Sequence, residues 1–212
     1  MIEIKGTLQN KLPIITFKDV TFSWPGKTDH VINNCNFSIN KTGLWMIVGK
    51  NGSGKSTLLK LINGLLKPSN GVINNLADVG MVFQNPDHQI LMPNCKSELL
   101  LNITQKLSRK DIATKIDIAL KKVGLAGFEK RPIHSLSGGQ KQRLTIACSL
   151  ISDKNFLLLD EPTALLDSSS QLKVLEIIKD LTNNKRNPFT ALWITHRLEE
   201  LRYEYALEEM MN

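Results

Sequence analysis

Hydrophobic and polar positions along the chain follow two periods. Residues 14–20, continuing toward Trp24, and residues 31–39 are β-rich and alternate in polarity, with Pro25-Gly26 between them. That pattern predicts two antiparallel strands joined by a turn. Residues 44–48, 156–160 and 191–195 are short apolar runs, each followed by polar chemistry, as expected of strands buried on both faces of a parallel sheet. Residues 81–83 form a fourth. Helical spacing runs through residues 56–66, 111–123, 139–149 and 171–181, with Pro68 and Gly71 closing the first. Strands alternating with helices predict an α/β fold, with ligand groups at strand C-termini and an antiparallel β flap ahead of them. Residues 86–133 carry no strand signal and read as a mostly helical insert. No internal repeat is visible.

Composition narrows the partners rather than the fold. A chain of 212 residues can bury a substantial core. Its 27 basic against 20 acidic side chains give +7, spread along the chain. No basic run with interleaved aromatics appears, so nucleic acid is not an expected partner. Cys35, Cys95 and Cys148 are widely separated and suggest neither a disulfide framework nor a zinc site, which fits a reducing compartment. The first residues, Met1-Ile2-Glu3-Ile4-Lys5, lack the basic-then-apolar pattern of a leader, and no apolar stretch approaches the roughly 18 residues of a membrane span. A membrane role would therefore come through a partner.

The chemistry begins after the strand at 44–48, in Gly49-Lys50-Asn51-Gly52-Ser53-Gly54-Lys55-Ser56-Thr57. This G-x-x-x-x-G-K-S spacing lets glycines turn the backbone so that successive N–H groups surround phosphate oxygens. A helix starting near Lys55 adds its positive dipole end. Lys55 can reach the β- and γ-phosphates of a nucleoside triphosphate, and the Ser56 hydroxyl is placed to ligate its Mg²⁺. Thr57 supports the loop from behind. A second apolar strand, residues 156–160, ends in the adjacent carboxylates Asp160 and Glu161. Neighbouring side chains on a strand point in opposite directions, so the two can divide their labour. Asp160 is the better candidate for holding Mg²⁺ and Glu161 for polarising an attacking water.

Leu136-Ser137-Gly138-Gly139-Gln140, followed by Lys141-Gln142-Arg143, resembles the signature motif of the ATP-binding cassette (ABC) ATPases. A serine and two glycines at a helix start offer backbone N–H groups and a hydroxyl to a second phosphate grip. In that family the motif closes over nucleotide bound to another copy. The resemblance therefore implies a head-to-tail dimer, homomeric or heteromeric, with two composite ATP sites, built on a P-loop NTPase core. It further implies roles for four residues. Gln84, in Val82-Phe83-Gln84-Asn85-Pro86, matches the glutamine that approaches Mg²⁺ and the attacking water. Asp167 matches the aspartate loop that crosses the dimer interface. His196 matches the switch histidine that contacts the γ-phosphate. Trp24 stands where the family places an aromatic ring against adenine. The resemblance spans residues 14–201, with the motifs in the family's order.

Phe83-Gln84-Asn85-Pro86-Asp87-His88-Gln89, with Arg131-Pro132-Ile133-His134 before the signature, is similar to the ATPases of energy-coupling-factor importers for cobalt, nickel and vitamins. That implies an ATP-hydrolysing subunit at the cytoplasmic face, bound to integral membrane subunits. A soluble ABC-type ATPase without a transport role stays open as the alternative. The expected division is one domain, residues 1–212, with a RecA-like core at about 1–85 and 153–212 and a helical subdomain at about 86–152. Two departures stand out: the segment between Gly64 and Gln84 is short, which predicts a trimmed strand pair, and the chain stops at Asn212, where relatives continue.

Overall fold

The computed structural model describes residues 3–4, 14–184 and 186–200. The leader reading at the N-terminus rests largely on residues outside that set, and the departure at residues 201–212 lies wholly outside it. The chain divides into two compact units, Met1–Lys41 with Trp45–Ala77 and Leu192–Asn212, and Thr42–Leu44 with Asp78–Ala191.

The first unit contains a three-stranded antiparallel sheet in the order β3-β2-β5, made of β2 (Ile15–Phe22), β3 (Ile32–Ile39) and β5 (Asn70–Asn75). Ile15 and Phe17 alternate into the interior, and Phe17 stacks on Phe37 with centroids 4.5 Å apart. A register shift between Phe17 and Val20, with Asp19 at φ 50°, then resets the alternation so that Val20, Thr21 and Phe22 are all buried. Gly71 makes that bulge possible from the other side. A Cβ there would lie 2.4 Å from the Asp19 carbonyl oxygen.

Strand β5 falls in the segment predicted to be trimmed. Its sequence, Asn-Gly-Val-Ile-Asn-Asn, is polar and largely exposed at the sheet edge. Backbone pairing to β2, from Ile15↔Asn75 to Thr21↔Asn70, creates the strand without an apolar pattern to announce it. The same unit holds β4 (Gly43–Val48) from Trp45 onward, between β1 (Glu3–Ile4) and the part of β8 (Thr190–Thr195) that starts at Leu192. Helix α1 (Lys55–Ile62) follows and buries Leu58, Leu59, Leu61 and Ile62.

In the second unit β6 (Val79–Val82) and β7 (Phe156–Asp160) pair in parallel, in the register Val79↔Phe156 to Val82↔Leu159. Four helices accompany them: α2 (Cys95–Leu101), α3 (Arg109–Lys122), α4 (Gly138–Ile151) and α5 (Ser168–Thr182). Helix α4 packs on α2, α3, α5 and β6. Its burial follows from this: Leu144, Thr145, Ile146, Ala147 and Cys148 are consecutive and all buried, as in a helix surrounded by protein. Among the described residues between Pro86 and Ile133 the extended pairing is one isolated bridge, Asn94↔Pro132, in keeping with a helical insert. No described helix is long and apolar enough to cross a membrane.

Candidate functional site

The glycine loop joins β4 to α1 within the first unit. Its entry is tied to β8, because Gly49 N–H donates to the Thr195 carbonyl at 3.3 Å. Gly52 and Gly54 then adopt φ of 80° and 89°, in the left-handed region that glycine enters without steric cost. A side chain at Gly54 is excluded twice over, since its Cβ would lie 2.9 Å from both the Val31 carbonyl oxygen and Ile32 Cδ1. Gly54 is also the N-cap of α1, and no side chain caps that helix start. Lys55 is 5% exposed, with its ammonium donating to the carbonyls of Gly49 at 2.8 Å and Lys50 at 3.0 Å. The charge is thereby drawn across the mouth of the loop. Ser53 Oγ is buried and has no hydrogen-bond partner, a state that ordinarily costs stability. Left-handed glycines, a helix start without a side-chain cap, a buried ammonium and an orphaned hydroxyl all fit a ligand rich in anionic oxygens. Asn51 and Ser56 are exposed on the same loop, and Thr57 is buried behind it.

His196 and Trp24 belong to the same unit. His196 is exposed just after β8, in a turn tied on both sides. Arg197 N–H donates to Thr195 Oγ1 at 3.0 Å, and the buried indole N–H of Trp193 donates to the buried Glu200 carboxylate at 3.0 Å. Trp24 is 40% exposed and meets Phe22 edge-on at 5.3 Å, with Lys60 of α1 6.0 Å from its ring centre. An exposed ring buttressed from beneath can take a base on its open face.

Gln84, Asp160, Glu161, the signature residues and Asp167 lie in the second unit. The parallel register explains one meeting directly: Val82 is opposite Leu159, so the residues two further on, Gln84 and Glu161, leave their strands side by side. Gln84 Nε2 stands 3.5 Å from Glu161 Oε2. Glu161 itself has φ 46°. The other described non-glycine residues with positive φ are Asp19, Asn34 and Asp153, types that tolerate this region. Glutamate does not share that tolerance, and such local strain is stored at functional sites. Asp160, half-buried at the end of β7, precedes it.

The backbone before Gln84 is gripped by two side chains. Gln89 donates to the Met81 carbonyl at 2.9 Å and accepts from Phe83 N–H at 3.4 Å. Gln142, fully buried on α4, donates to the Phe83 carbonyl at 3.0 Å. Lys141 pairs with Asp87 at 2.7 Å. Gln142 stands just after the signature motif in the sequence, and its burial and this bond make it a link between the glutamine loop and the signature helix.

Leu136 is buried and Ser137 is the N-cap of α4. Ser137 Oγ accepts from Gln140 N–H at 3.3 Å, while Gln140 Oε1 accepts from Ser137 N–H at 3.0 Å. The Ser-x-x-Gln spacing is the sequence sign of this reciprocal cap. Gly138 and Gly139 fill the first turn. Asp167 caps α5 and accepts from Ser170 N–H at 3.0 Å, Ser170 Oγ at 2.9 Å and Ser169 Oγ at 2.9 Å. These bonds, led by the Ser170 N–H, hold its carboxyl down at about 2.

Comparison with known proteins gives the family of the chain. The profile of the ABC transporter family matches residues 32–164. The chain belongs to the ABC transporter family. It is an ATP hydrolase of that family, related to the energy-coupling factor transporter ATPases. The ABC transporter I family member 10 of Arabidopsis thaliana is 44% identical over 184 residues, which cover 86% of this chain and 68% of that protein. The energy-coupling factor transporter ATP-binding protein EcfA1 of Thermotoga maritima is 37% identical over 197 residues, 88% of this chain and 74% of the relative. Among solved structures, cbiO1 from Clostridium perfringens, described as part of the ABC transporter complex cbiONQ, superposes with a TM-score of 0.81. It is 29% identical and the match covers 90% of this ABC ATPase and 81% of cbiO1.

Proposed function

We propose that this chain is the ATP-hydrolysing subunit of an energy-coupling-factor-type importer for a metal ion or a vitamin, working at the cytoplasmic face of a membrane through integral membrane partners. The observation that carries the reading is the placement of Gln84 against Glu161, with Gln84 in a run where Asn85, Asp87 and Gln89 have structural tasks. Asn85 accepts from Asp87 N–H, Asp87 pairs with Lys141, and Gln89 holds Met81 and Phe83. This run is the one that is similar to energy-coupling-factor ATPases, and a relative of that name supports the same assignment.

In this reading the loop amides from Gly49 to Thr57, with Asn51, Gly52, Ser53 and Gly54, bind the phosphates of ATP, Lys55 neutralises them, and Trp24 stacks on adenine. Ser56, Asp160 and Gln84 offer hydroxyl, carboxylate and amide oxygens, donors that suit Mg²⁺. When bound, that ion neutralises charge developing on the transferred phosphoryl group. Glu161 takes a proton from the attacking water and His196 contacts the γ-phosphate. A second ABC subunit, identical or not, supplies Leu136 to Gln140 over the nucleotide, with Asp167 crossing between the copies. Hydrolysis resets an assembly that ATP binding has closed. The expected division of labour is a RecA-like core at about 1–85 and 153–212 and a helical subdomain at about 86–152 that passes the motion on.

Glu161→Gln tests the assignment. Turnover should fall by about 10²- to 10⁴-fold, the usual range for a positioned general base, while ATP binding persists and the dimer accumulates. Undiminished hydrolysis would remove Glu161 from this role. Tagged chain should copurify with integral membrane proteins from solubilised membranes. Recovery solely from the soluble fraction, with ribosomes or DNA, would favour the soluble alternative.

A further inference from the structure

The two signature glycines differ in what requires them. Gly138 and Gly139 are the first two residues of α4, and neither is among the glycines with positive φ. Backbone conformation therefore gives no reason for glycine at either position, and alanine would ordinarily suit a helix better. A Cβ on Gly138 would meet only Leu166 Cδ2, at an ordinary 3.7 Å. A Cβ on Gly139 would lie 2.4 Å from Ser170 Oγ and 2.6 Å from Ser170 Cβ. The hydroxyl cannot swing away without cost, because it donates to Asp167 Oδ2 at 2.9 Å. The Cβ cannot move unless the first turn of α5 moves, and Ser170 N–H in that turn also holds Asp167.

We infer that Ser170 is a positioning residue, seated on the bare Cα of Gly139, that fixes the aspartate loop to the signature turn of the same subunit. Gly139 is then glycine for an internal reason, whatever else approaches it. The consequence for catalysis rests on the proposed function: in a composite site the signature turn and Asp167 would meet the partner as one rigid element, with their spacing set by this contact.

The test is a double-mutant cycle on the full-length, nucleotide-free chain, read by thermal melting. G139A should lower Tm by about 5 °C, the scale of an overpacked site in a chain of this size, while G138A leaves it within about 2 °C. In the S170G background, G139A should cost nothing or raise Tm, because the clash is gone and helix propensity remains. An equal loss in both backgrounds overturns the inference. S170A, which keeps the Cβ, supplies a second readout. The Asp167 carboxyl, followed by carbon NMR, should titrate above its value of about 2, and an unchanged midpoint overturns the contact. S170A should also lower kcat about fivefold, the loss expected for one positioning hydrogen bond, with KM for ATP unchanged. A kcat equal to the parent's overturns the positioning role, whereas a parent chain that does not hydrolyse ATP at all overturns the proposed function instead.

Discussion

Two helix starts in this ABC ATPase solve the same physical problem in opposite ways. Every α-helix begins with backbone N–H groups that lack internal partners. At α4 the chain meets that need itself, with Ser137 and Gln140 bonding reciprocally across the first turn. At α1 it does not. The cap is Gly54, at φ 89° and with no side-chain bond, preceded by a buried Ser53 hydroxyl without a partner. A left-handed backbone and a neighbouring carbonyl leave no room for a side chain at this position, so the start of α1 goes without the cap that serine gives α4. The contrast lies in self-sufficiency: α1 leaves its first amides without a side-chain partner, as the proposed phosphate site requires, whereas α4 closes its own first turn.

Substitutions can break or sharpen that contrast. The largest effect is expected at Lys55. Lys55→Ala should weaken ATP binding by about tenfold to a hundredfold, the worth of charge-assisted hydrogen bonds, as measured by titration calorimetry on the isolated chain. Ser137→Ala should do the reverse. It should remove about 0.5–2 kcal/mol of stability through the lost cap, or about 2–4 °C in Tm for each kcal/mol, while leaving ATP affinity of the isolated chain within about twofold. A comparable loss of affinity in Ser137→Ala would erase the distinction between the two helix starts.

The smallest effect concerns Asp167, the third cap. Its folded pKa of about 2 lies below the unfolded value of about 4. Its contribution to stability is therefore complete above the unfolded value and is lost as pH falls through the folded one. Asp167→Asn should flatten the acid limb of a stability profile between about pH 4 and about pH 2, with a small loss of stability above that window, where the carboxylate's contribution is complete. A variant with the parent's acid limb would show that this carboxylate is not selectively stabilised.

Much of the local structure of the candidate site was legible in the sequence, for a local reason. Gly52, Gly54, Lys55 and Ser56 lie within a few residues of one another, so their spacing alone encodes the loop. Asp167 caps α5 through the serines that directly follow it, another short-range arrangement. Strands β4, β7 and β8 announced themselves as apolar runs, and their observed limits lie within a residue or so of those predicted. Strand β5 was not legible, because an exposed edge of asparagines has no pattern to read and exists through its pairing to β2. The contacts of Gln142 and Ser170 were not legible, because what they touch, the Phe83 carbonyl and the Cα of Gly139, lies far away along the chain.

By itself, then, the sequence determined the glycine loop, the acidic pair at the end of β7, the signature cap and the alternation of strands and helices. Each follows from backbone conformations and hydrogen bonds that a short stretch of residues can specify. Only the tertiary structure decided that Gln84 stands beside Glu161, that Glu161 takes a left-handed backbone, and that Gly139 must lack a side chain. Those facts depend on the register of two strands and the close approach of two helices, and burial and packing set such distances where no local spacing can.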